Sequence, residues 1–280
     1  MNLDLQATAL RWRAEGRAAV VVEVARTQGS VPREAGTRML VAADEAMGTV
    51  GGGHLELQAI ADARSLLAGG AVARRQHIAL GPSLGQCCGG ALGLVFTPLA
   101  EADPASWLPA PPLFTLQLYG AGHVGRAIVQ LLAGLPCRVQ WIDEREDQFP
   151  STTLPAHILK VCVEPVQGEV AVAPPGAFYL VLTHSHALDL AITQAVLQRG
   201  DFAYFGLIGS KTKRARFEHR LRERGVPDAL LARLVCPIGL PGIPGKAPEV
   251  VAVAVVAQLL LAASAGARIP ASRRRKAERP

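Results

Sequence analysis

The sequence has few of the features that mark secreted proteins. Cysteine occurs five times in 280 residues, an odd number without regular spacing, which argues against a disulfide framework. The first ten residues lack a basic segment followed by an apolar core, so no signal peptide is predicted. Both absences predict a reducing, cytoplasmic location.

The formal net charge of +6 overstates how basic the chain is. Residues 268–280 hold six Lys or Arg side chains and one Glu, so this tail carries +5 and the rest of the chain +1. Aromatic residues make up only 5% and are not interleaved with the basic ones, as they are on single-strand binding surfaces. We therefore predict a disordered basic tail over 268–280 and no nucleic-acid partner.

One long hydrophobic run raises the question of a membrane span. Residues 250–267 carry no charge over 18 positions, a length that can cross a bilayer. The run contains Gln258 and Ser264, however, and has no aromatic belts. It predicts a helix buried against a sheet, and no membrane partner.

The pattern of apolar residues changes near the middle of the chain, which is long enough for two domains. We predict an N-terminal α/β domain over 1–98, a proline-rich linker over 99–112 and a second domain over 113–267. The first is predicted to contain helices at 3–15 and 54–68 and strands at 18–25, 38–41, 72–80 and 92–98. The second alternates strands at 115–119, 138–142, 157–163, 178–183 and 202–207 with helices at 124–133, 188–199, 213–224, 228–234 and 249–263. This alternation predicts a Rossmann-type, doubly wound parallel sheet, so the fold class is α/β.

The motif Gly120-Ala121-Gly122-His123-Val124-Gly125 matches G-x-G-x-x-G between a predicted strand and a predicted helix. Gly120 suits the tight turn, Gly122 the approach of a ligand phosphate, and Gly125 the packing of helix on strand. Asp143 ends the next strand, where an acid binds ribose hydroxyls. The sequence predicts a nucleotide-like ligand here, with His123 beside it.

Polar residues also follow the fourth and fifth strands of this domain. His184 and His186 alternate along the chain and are predicted to face one ligand, although no third metal ligand is evident nearby. Ser210 is a natural N-cap, and Lys211 and Lys213 beside it suit an anion. The alternative to a ligand site is a polar strand end for the two histidines and an ordinary capped surface helix for Ser210 and the lysines.

The N-terminal domain has two glycine-rich segments of its own. Gly51-Gly52-Gly53-His54 leads into a helix and predicts a backbone-amide anion site, with Glu56 placed to cap that helix. Cys87 and Cys88 lie between glycines, which predicts approachable sulfur suited to a soft metal or to sulfur transfer. The remaining cysteines, Cys137, Cys162 and Cys236, are predicted to be buried.

Taken together, several motifs resemble those of the XdhC/CoxI family of xanthine dehydrogenase accessory proteins. The resemblance extends from about residue 15 to residue 262, with two departures. Cys236 stands where relatives commonly carry His, and the helix after Glu249 is richer in Ala and Val than usual. It rests on TQGSVPREAG, GTVGGGHLE, LGQCCGG, YGAGHVGRA, WIDERE, LTHSHALDL, GLIGSKTKR and PIGLPGIPGKAPE.

The resemblance implies a chaperone for the molybdenum cofactor rather than a turnover catalyst. Such a protein protects the cofactor (molybdopterin), supports its sulfuration by a cysteine desulfurase and inserts it into apo xanthine dehydrogenase; homodimerisation is the common default. We expect a site between the domains. The turns at 120–125 and 51–53 would hold phosphate or a nucleotide, and Cys87 and Cys88 would face molybdenum or its sulfur.

Two other functions remain open at this point. The glycine motif and Asp143 are also what an NAD(P)-dependent oxidoreductase uses, with His123 or His184 as its acid or base. The cysteine pair would also suit a sulfurtransferase that carries a persulfide on Cys87 or Cys88.

Overall fold

In the computed structural model, the described residues are 5–69, 74–80, 89–107 and 111–267. They belong to two compact units, Met1–Pro109 and Ala110–Pro280, so the division falls inside the predicted linker. The start of that linker is packed structure, because Leu99 is buried in the first unit with Trp12. A 3₁₀ helix follows at Pro104–Ser106, and Gln6 donates a hydrogen bond to the Pro104 carbonyl oxygen at 2.9 Å.

The first unit is an antiparallel sheet of five strands in the order β3-β2-β1-β5-β4. Its residues alternate between two covered faces: Val20 and Val22 pack with Leu55 of α2, and Val21 packs with Trp12 of α1. The predicted strands and helices are present, and β3 is an additional short edge strand. The elements are α1 (Leu5–Ala14), β1 (Ala19–Gln28), β2 (Arg38–Ala42), β3 (Ala46–Gly48), α2 (Gly53–Leu67), β4 (Arg75–Ala79) and β5 (Ala91–Pro98).

The second unit is a parallel sheet of six strands in the order β11-β10-β9-β6-β7-β8. Helices α3 and α7 cover one face, and α4 and α5 cover the other, which confirms the predicted doubly wound, Rossmann-type fold. The elements are β6 (Thr115–Tyr119), α3 (His123–Leu132), β7 (Arg138–Asp143), β8 (Ile158–Cys162), β9 (Phe178–Val181), α4 (His186–Arg199), β10 (Tyr204–Leu207), α5 (Lys211–Glu223), α6 (Asp228–Leu231), β11 (Leu234–Val235) and α7 (Pro248–Ala267).

Helix α7 contains the long hydrophobic run. Its residues 248–265 have a mean hydropathy of 1.9, enough by length and composition to cross a membrane, and 28% of them are buried. The buried side chains, such as Ala252, Val255 and Leu259, lie in the core with those of α3. Tyr204 also donates a hydrogen bond to Gln258 at 2.7 Å. One face of the helix therefore packs against the sheet domain as predicted, while Val253 and Leu261 on the rest of it are exposed.

Candidate functional site

A cleft of about 360 Å³ opens at the carboxyl edge of the parallel sheet. Strand β6 lies between β7 and β9, and the strand order runs outward from β6 in both directions, so this is the crevice where open α/β sheets bind ligands. The predicted residues Gly122, His123 and His184 line this one cleft. The full lining is Gly122, His123, Val124, Arg145, Gln148, Leu182, Thr183, His184 and Ile208.

The three glycines of the turn have different surroundings. Gly120 has φ of +118°, and a Cβ there would lie 2.3 Å from the Leu182 carbonyl oxygen. A Cβ on Gly125 would lie 2.1 Å from the Gly120 carbonyl oxygen. Gly122 has φ of −71°, and nothing lies within 4 Å of the position its Cβ would take. Gly120 and Gly125 are therefore required by the fold, whereas Gly122 leaves open space on the cleft side.

Helix α3 begins at the floor of the cleft. Gly122 is its N-cap and provides no side-chain cap, and no acidic residue lies in the first turn. The first N–H groups of a helix have no partner within it, and they carry the positive end of the helix dipole. The start of α3 can thus accept an anionic group.

Asp143 ends β7 and is 4% exposed. Its Oδ2 accepts a hydrogen bond from the Ala121 N–H at 2.7 Å, and its Oδ1 accepts one from the Arg145 N–H at 3.0 Å. Burial disfavours the charged form, but the hydrogen bonds from Arg145 and Ala121 outweigh it and lower the pKa of Asp143 below its ordinary value of 3.8. The carboxylate that the sequence predicts to bind ribose is engaged by protein donors.

Arg145 is the cleft residue that the sequence prediction missed. Its Nε lies 3.0 Å from Asp143 Oδ1, and its Nη2 lies 3.0 Å from Oδ2, a bidentate pair. The ion pair with Asp143 raises the pKa of the guanidinium. The signal was present in the WIDERE motif, because an Arg near the end of this strand accommodates the 2′-phosphate in some dinucleotide-binding sheets.

The two histidines after β9 do not follow the predicted arrangement. Strand β9 ends at Val181, and His186 is already the first residue of α4, so the extended chain on which their convergence was predicted is absent. His184 lines the cleft, with its Nε2 3.5 Å from Glu144 Oε1. Among the described residues, no group of three or more His, Cys, Asp or Glu side chains could hold a metal ion.

A buried ion pair fixes the wall of the cleft. Lys213 Nζ lies 2.5 Å from Asp189 Oδ2 and 2.8 Å from the Ile208 carbonyl oxygen. The other carboxylate oxygen of Asp189 accepts hydrogen bonds from the N–H and the hydroxyl of Thr183, at 3.0 and 2.7 Å. The ends of β9 and β10 are thereby tied together. Because the Lys213 ammonium is engaged in this network, it is not the anion ligand that the sequence predicts.

Ser210 caps α5, as its sequence position predicts. Its hydroxyl accepts a hydrogen bond from the Lys213 N–H at 3.2 Å. Lys211 is the first residue of the helix and is exposed. Neither residue is among those that line the cleft.

The glycine run of the first unit is hydrogen-bonded to neighbouring residues of the same segment. Glu56 Oε2 accepts hydrogen bonds from the N–H groups of Val50 at 3.1 Å and Gly52 at 3.2 Å, and also one from the Thr49 hydroxyl. The Gly51 N–H donates to Thr49 Oγ1 at 3.1 Å. The predicted capping role of Glu56 is confirmed. Of the amides expected to bind an anion, that of Gly52 is taken by Glu56 and that of Gly51 by Thr49. Gly53 and His54 begin α2 and are exposed.

The predicted sulfur ligands, Cys87 and Cys88, lie outside the described residues, as does the predicted basic tail over 268–280. The description resumes at Gly89 and Gly90, and a Cβ on Gly90 would lie 2.4 Å from the Ser30 carbonyl oxygen. The segment after the cysteine pair therefore packs against the end of β1, which carries the TQGSVPREAG motif.

Of the remaining cysteines, two are buried as predicted and one is not. Cys137 and Cys236 are buried, and burial raises the pKa of the Cys137 thiol to about 11. Cys162 is exposed, so its predicted burial is wrong. It ends β8, an edge strand of the sheet, where fewer neighbours can cover it.

Comparison with known proteins assigns the chain to a family. Residues 116–259 match the XdhC Rossmann domain, and residues 12–77 match the XdhC and CoxI family. The chain is 33% identical over 258 residues to the uncharacterized protein YqeB of Escherichia coli (strain K12), covering 86% of this chain. It spans 42% of the length of that relative.

A solved structure shares the fold. It comes from Bacillus halodurans and is described as a xanthine dehydrogenase; the two chains align with a TM-score of 0.71 and 19% identity over 95% of this chain and 97% of that one. The parallel sheet with its cleft and the match over 116–259 define a protein with an XdhC-type Rossmann domain. The chain belongs to the XdhC and CoxI family.

Proposed function

We propose that this protein is a cytoplasmic chaperone that binds the molybdenum cofactor, supports its sulfuration and delivers it to apo xanthine dehydrogenase. The observation that carries the proposal is the cleft at the start of α3, in a chain of this family, where the helix N-terminus and Arg145 both favour an anion.

The described residues fit the phosphate end of such a cofactor. Gly122 leaves room for close approach, the first amides of α3 provide donors, and Arg145 provides a guanidinium. When bound, the cofactor supplies a molybdenum held by its own dithiolene sulfurs, so the protein need not offer a complete metal-ligand set. The role of the protein side chains in the cleft is to hold the anionic end.

Cys87 and Cys88 are proposed to contact the metal or its exchangeable sulfur. The reason lies in their chemistry, because thiolates suit a soft metal and can exchange sulfur. Apo xanthine dehydrogenase, a cysteine desulfurase and a second copy of the chain are the proposed partners.

The first test is the composition of the protein purified from cells that make the cofactor. Molybdenum by elemental analysis and oxidised pterin by fluorescence should both co-purify, in equal amounts. A protein free of both, from cells whose other molybdenum enzymes are loaded, would contradict the proposal.

The second test follows sulfuration and delivery. Loaded protein, incubated with a cysteine desulfurase and apo xanthine dehydrogenase, should restore xanthine oxidation. A Cys87→Ser/Cys88→Ser variant should retain pterin yet transfer little active cofactor. Cys162→Ser is the matched control, because this thiol is exposed and belongs to the second unit. Equal transfer by all three proteins would remove the cysteine pair from the mechanism.

A further inference from the structure

The acceptor positions of Asp143 are filled by the protein itself. A carboxylate offers about four lone-pair sites. Those of Asp143 receive the Ala121 N–H, the Arg145 N–H and two guanidinium N–H groups of Arg145, at 2.7 to 3.0 Å. With the side chain almost fully buried, no acceptor site remains for a ribose hydroxyl.

Arg145, in contrast, keeps donors to spare. Its pairing with Asp143 uses Nε and Nη2, which is one edge of the guanidinium. Within the described part of the chain, Nη1 has no hydrogen-bond partner, so the other edge of the fork remains open. The side chain is 32% exposed and lines the cleft. A guanidinium edge of this kind matches two oxygens of a phosphate.

The neighbours of Arg145 are arranged for an anion as well. His123 and the start of α3 line the same cleft, and no acidic residue lies in the first turn of that helix. The acids next to Arg145 along the chain are Glu144, Glu146 and Asp147, and none of them is among the residues that line the cleft. Glu144 is placed beside His184, with 3.5 Å between Oε1 and Nε2. The cleft thus presents a held cation where nucleotide-binding sheets of this type usually present a free acid.

We propose that Arg145 is the specificity-determining residue of the cleft and recognises a terminal phosphate monoester. Asp143 is a positioning residue that aims the guanidinium and ties it to the glycine turn through Ala121. The inference rests on the cleft being the ligand site proposed above, but it does not require that the ligand be a molybdenum cofactor. Phosphorylated pterins and 2′-phosphorylated nucleotides share this group, whereas NAD, with its free ribose hydroxyls, lacks it.

The test compares two probes that differ by one phosphate monoester. Binding of NADP and of NAD, whose only phosphates form an internal pyrophosphate, is measured by calorimetry on the full chain. The wild type should prefer NADP by about tenfold or more, since hydrogen bonds to charged groups contribute on that scale. Arg145→Gln should reduce the preference to less than about threefold, and Arg145→Lys should restore part of it.

Arg138→Gln is the matched control, because Arg138 is exposed at the opposite end of the same strand. Thermal unfolding of each variant shows that it is folded. The proposal is overturned if the wild type binds both probes equally, binds neither at millimolar concentration, or if Arg145→Gln keeps the wild-type preference. Cofactor content of the purified variants is measured separately. If Arg145→Gln loses the binding preference but the purified wild type never carries pterin, the proposed chaperone function fails and this inference stands.

Discussion

Two glycine turns of the same general pattern open helices in this protein, and the structure gives them opposite surroundings. In the first unit, Glu56 lies in the first turn of α2 and its carboxylate binds the N–H groups of Val50 and Gly52. In the second unit, α3 has no acid in its first turn, and Gly122 faces a cleft. The turn with its own carboxylate is capped from within, and the turn without one is left for a ligand.

The difference teaches that glycine spacing alone does not define an anion site. The residue three or four positions further along decides whether the amides are satisfied by the chain or by something else. In GTVGGGHLE that residue is Glu56, and in YGAGHVGRA it is Arg126. A guanidinium cannot accept from the amides, and Arg126 donates instead to the Gln148 carbonyl oxygen.

The largest expected effect is the loss of stability when a glycine that the fold requires is replaced, compared with the loss at a glycine in open surroundings. Gly125→Ala places a Cβ 2.1 Å from a backbone oxygen, so we expect a loss of about 4 kcal/mol of unfolding free energy or failure to fold. Gly52→Ala meets nothing within 4 Å and is strained only by its backbone, with φ of +75° and ψ of −179°, a region that is almost confined to glycine and costs other residues about 1–3 kcal/mol. Chemical unfolding measures both, and equal losses would break the comparison.

Next comes the buried pair that holds the cleft wall. Asp189→Ala leaves the Lys213 ammonium without its carboxylate in a site where Lys213 is 11% exposed, so we expect a loss of about 3 kcal/mol. Asp201→Ala removes a surface pair with Arg199 and should cost less than about 1 kcal/mol. A loss for Asp189→Ala no larger than that control would show that the network does not stabilise the wall.

A smaller effect tests whether the glycine turn before α2 can bind an anion once its capping carboxylate is removed. Glu56→Ala frees the amides of Val50 and Gly52 and should cost about 1–2 kcal/mol. Sulfate should then stabilise the variant more than the wild type, as seen in the shift of the unfolding midpoint. Gln58→Ala, on the exposed side of the same helix, is the control. Identical sulfate responses in all three proteins would contradict capping by Glu56.

The smallest effect is a pH dependence in the second unit. The pKa of Asp143 is lowered in the folded state, so its contribution to stability is present above its unfolded value of about 3.8 and is lost as the pH falls through the folded value. The stability difference between wild type and Asp143→Asn should therefore be constant from pH 7 to 5 and shrink below about pH 4. Unfolding curves across this range check it, and a difference that does not change with pH would contradict the assignment.

Much of the fold could be predicted because the second unit follows simple periodicities. Thr115–Tyr119 was predicted to the residue, and helices α3, α4 and α5 within a few residues of their ends. The short strand Ala46–Gly48 was missed since three residues carry no period. The start of the predicted linker was misleading, because proline-rich composition does not reveal that Leu99 finds a buried place.

The site was predicted less completely than the fold. Local motifs identified Gly122, His123 and His184, which line one cleft. The pairing of Asp143 with Arg145 is local and was overlooked in the WIDERE motif. That Lys213 reaches Asp189 across 24 positions is a tertiary property, which the sequence did not reveal.

The most direct measurement of the central claim is the ligand content of Gly122→Asp. The Cβ of this substitution meets nothing within 4 Å, and its carboxylate at the start of α3 repels an anionic group. Gly168→Asp is the matched control, with equally open surroundings at an exposed position of the 3₁₀ segment Val166–Val172. From cofactor-producing cells, Gly122→Asp should carry less than about a tenth of the wild-type pterin and molybdenum, since losing one charged anion contact costs at least tenfold in affinity. Gly168→Asp should match the wild type. Wild-type content in Gly122→Asp would contradict the claim that this cleft holds the ligand.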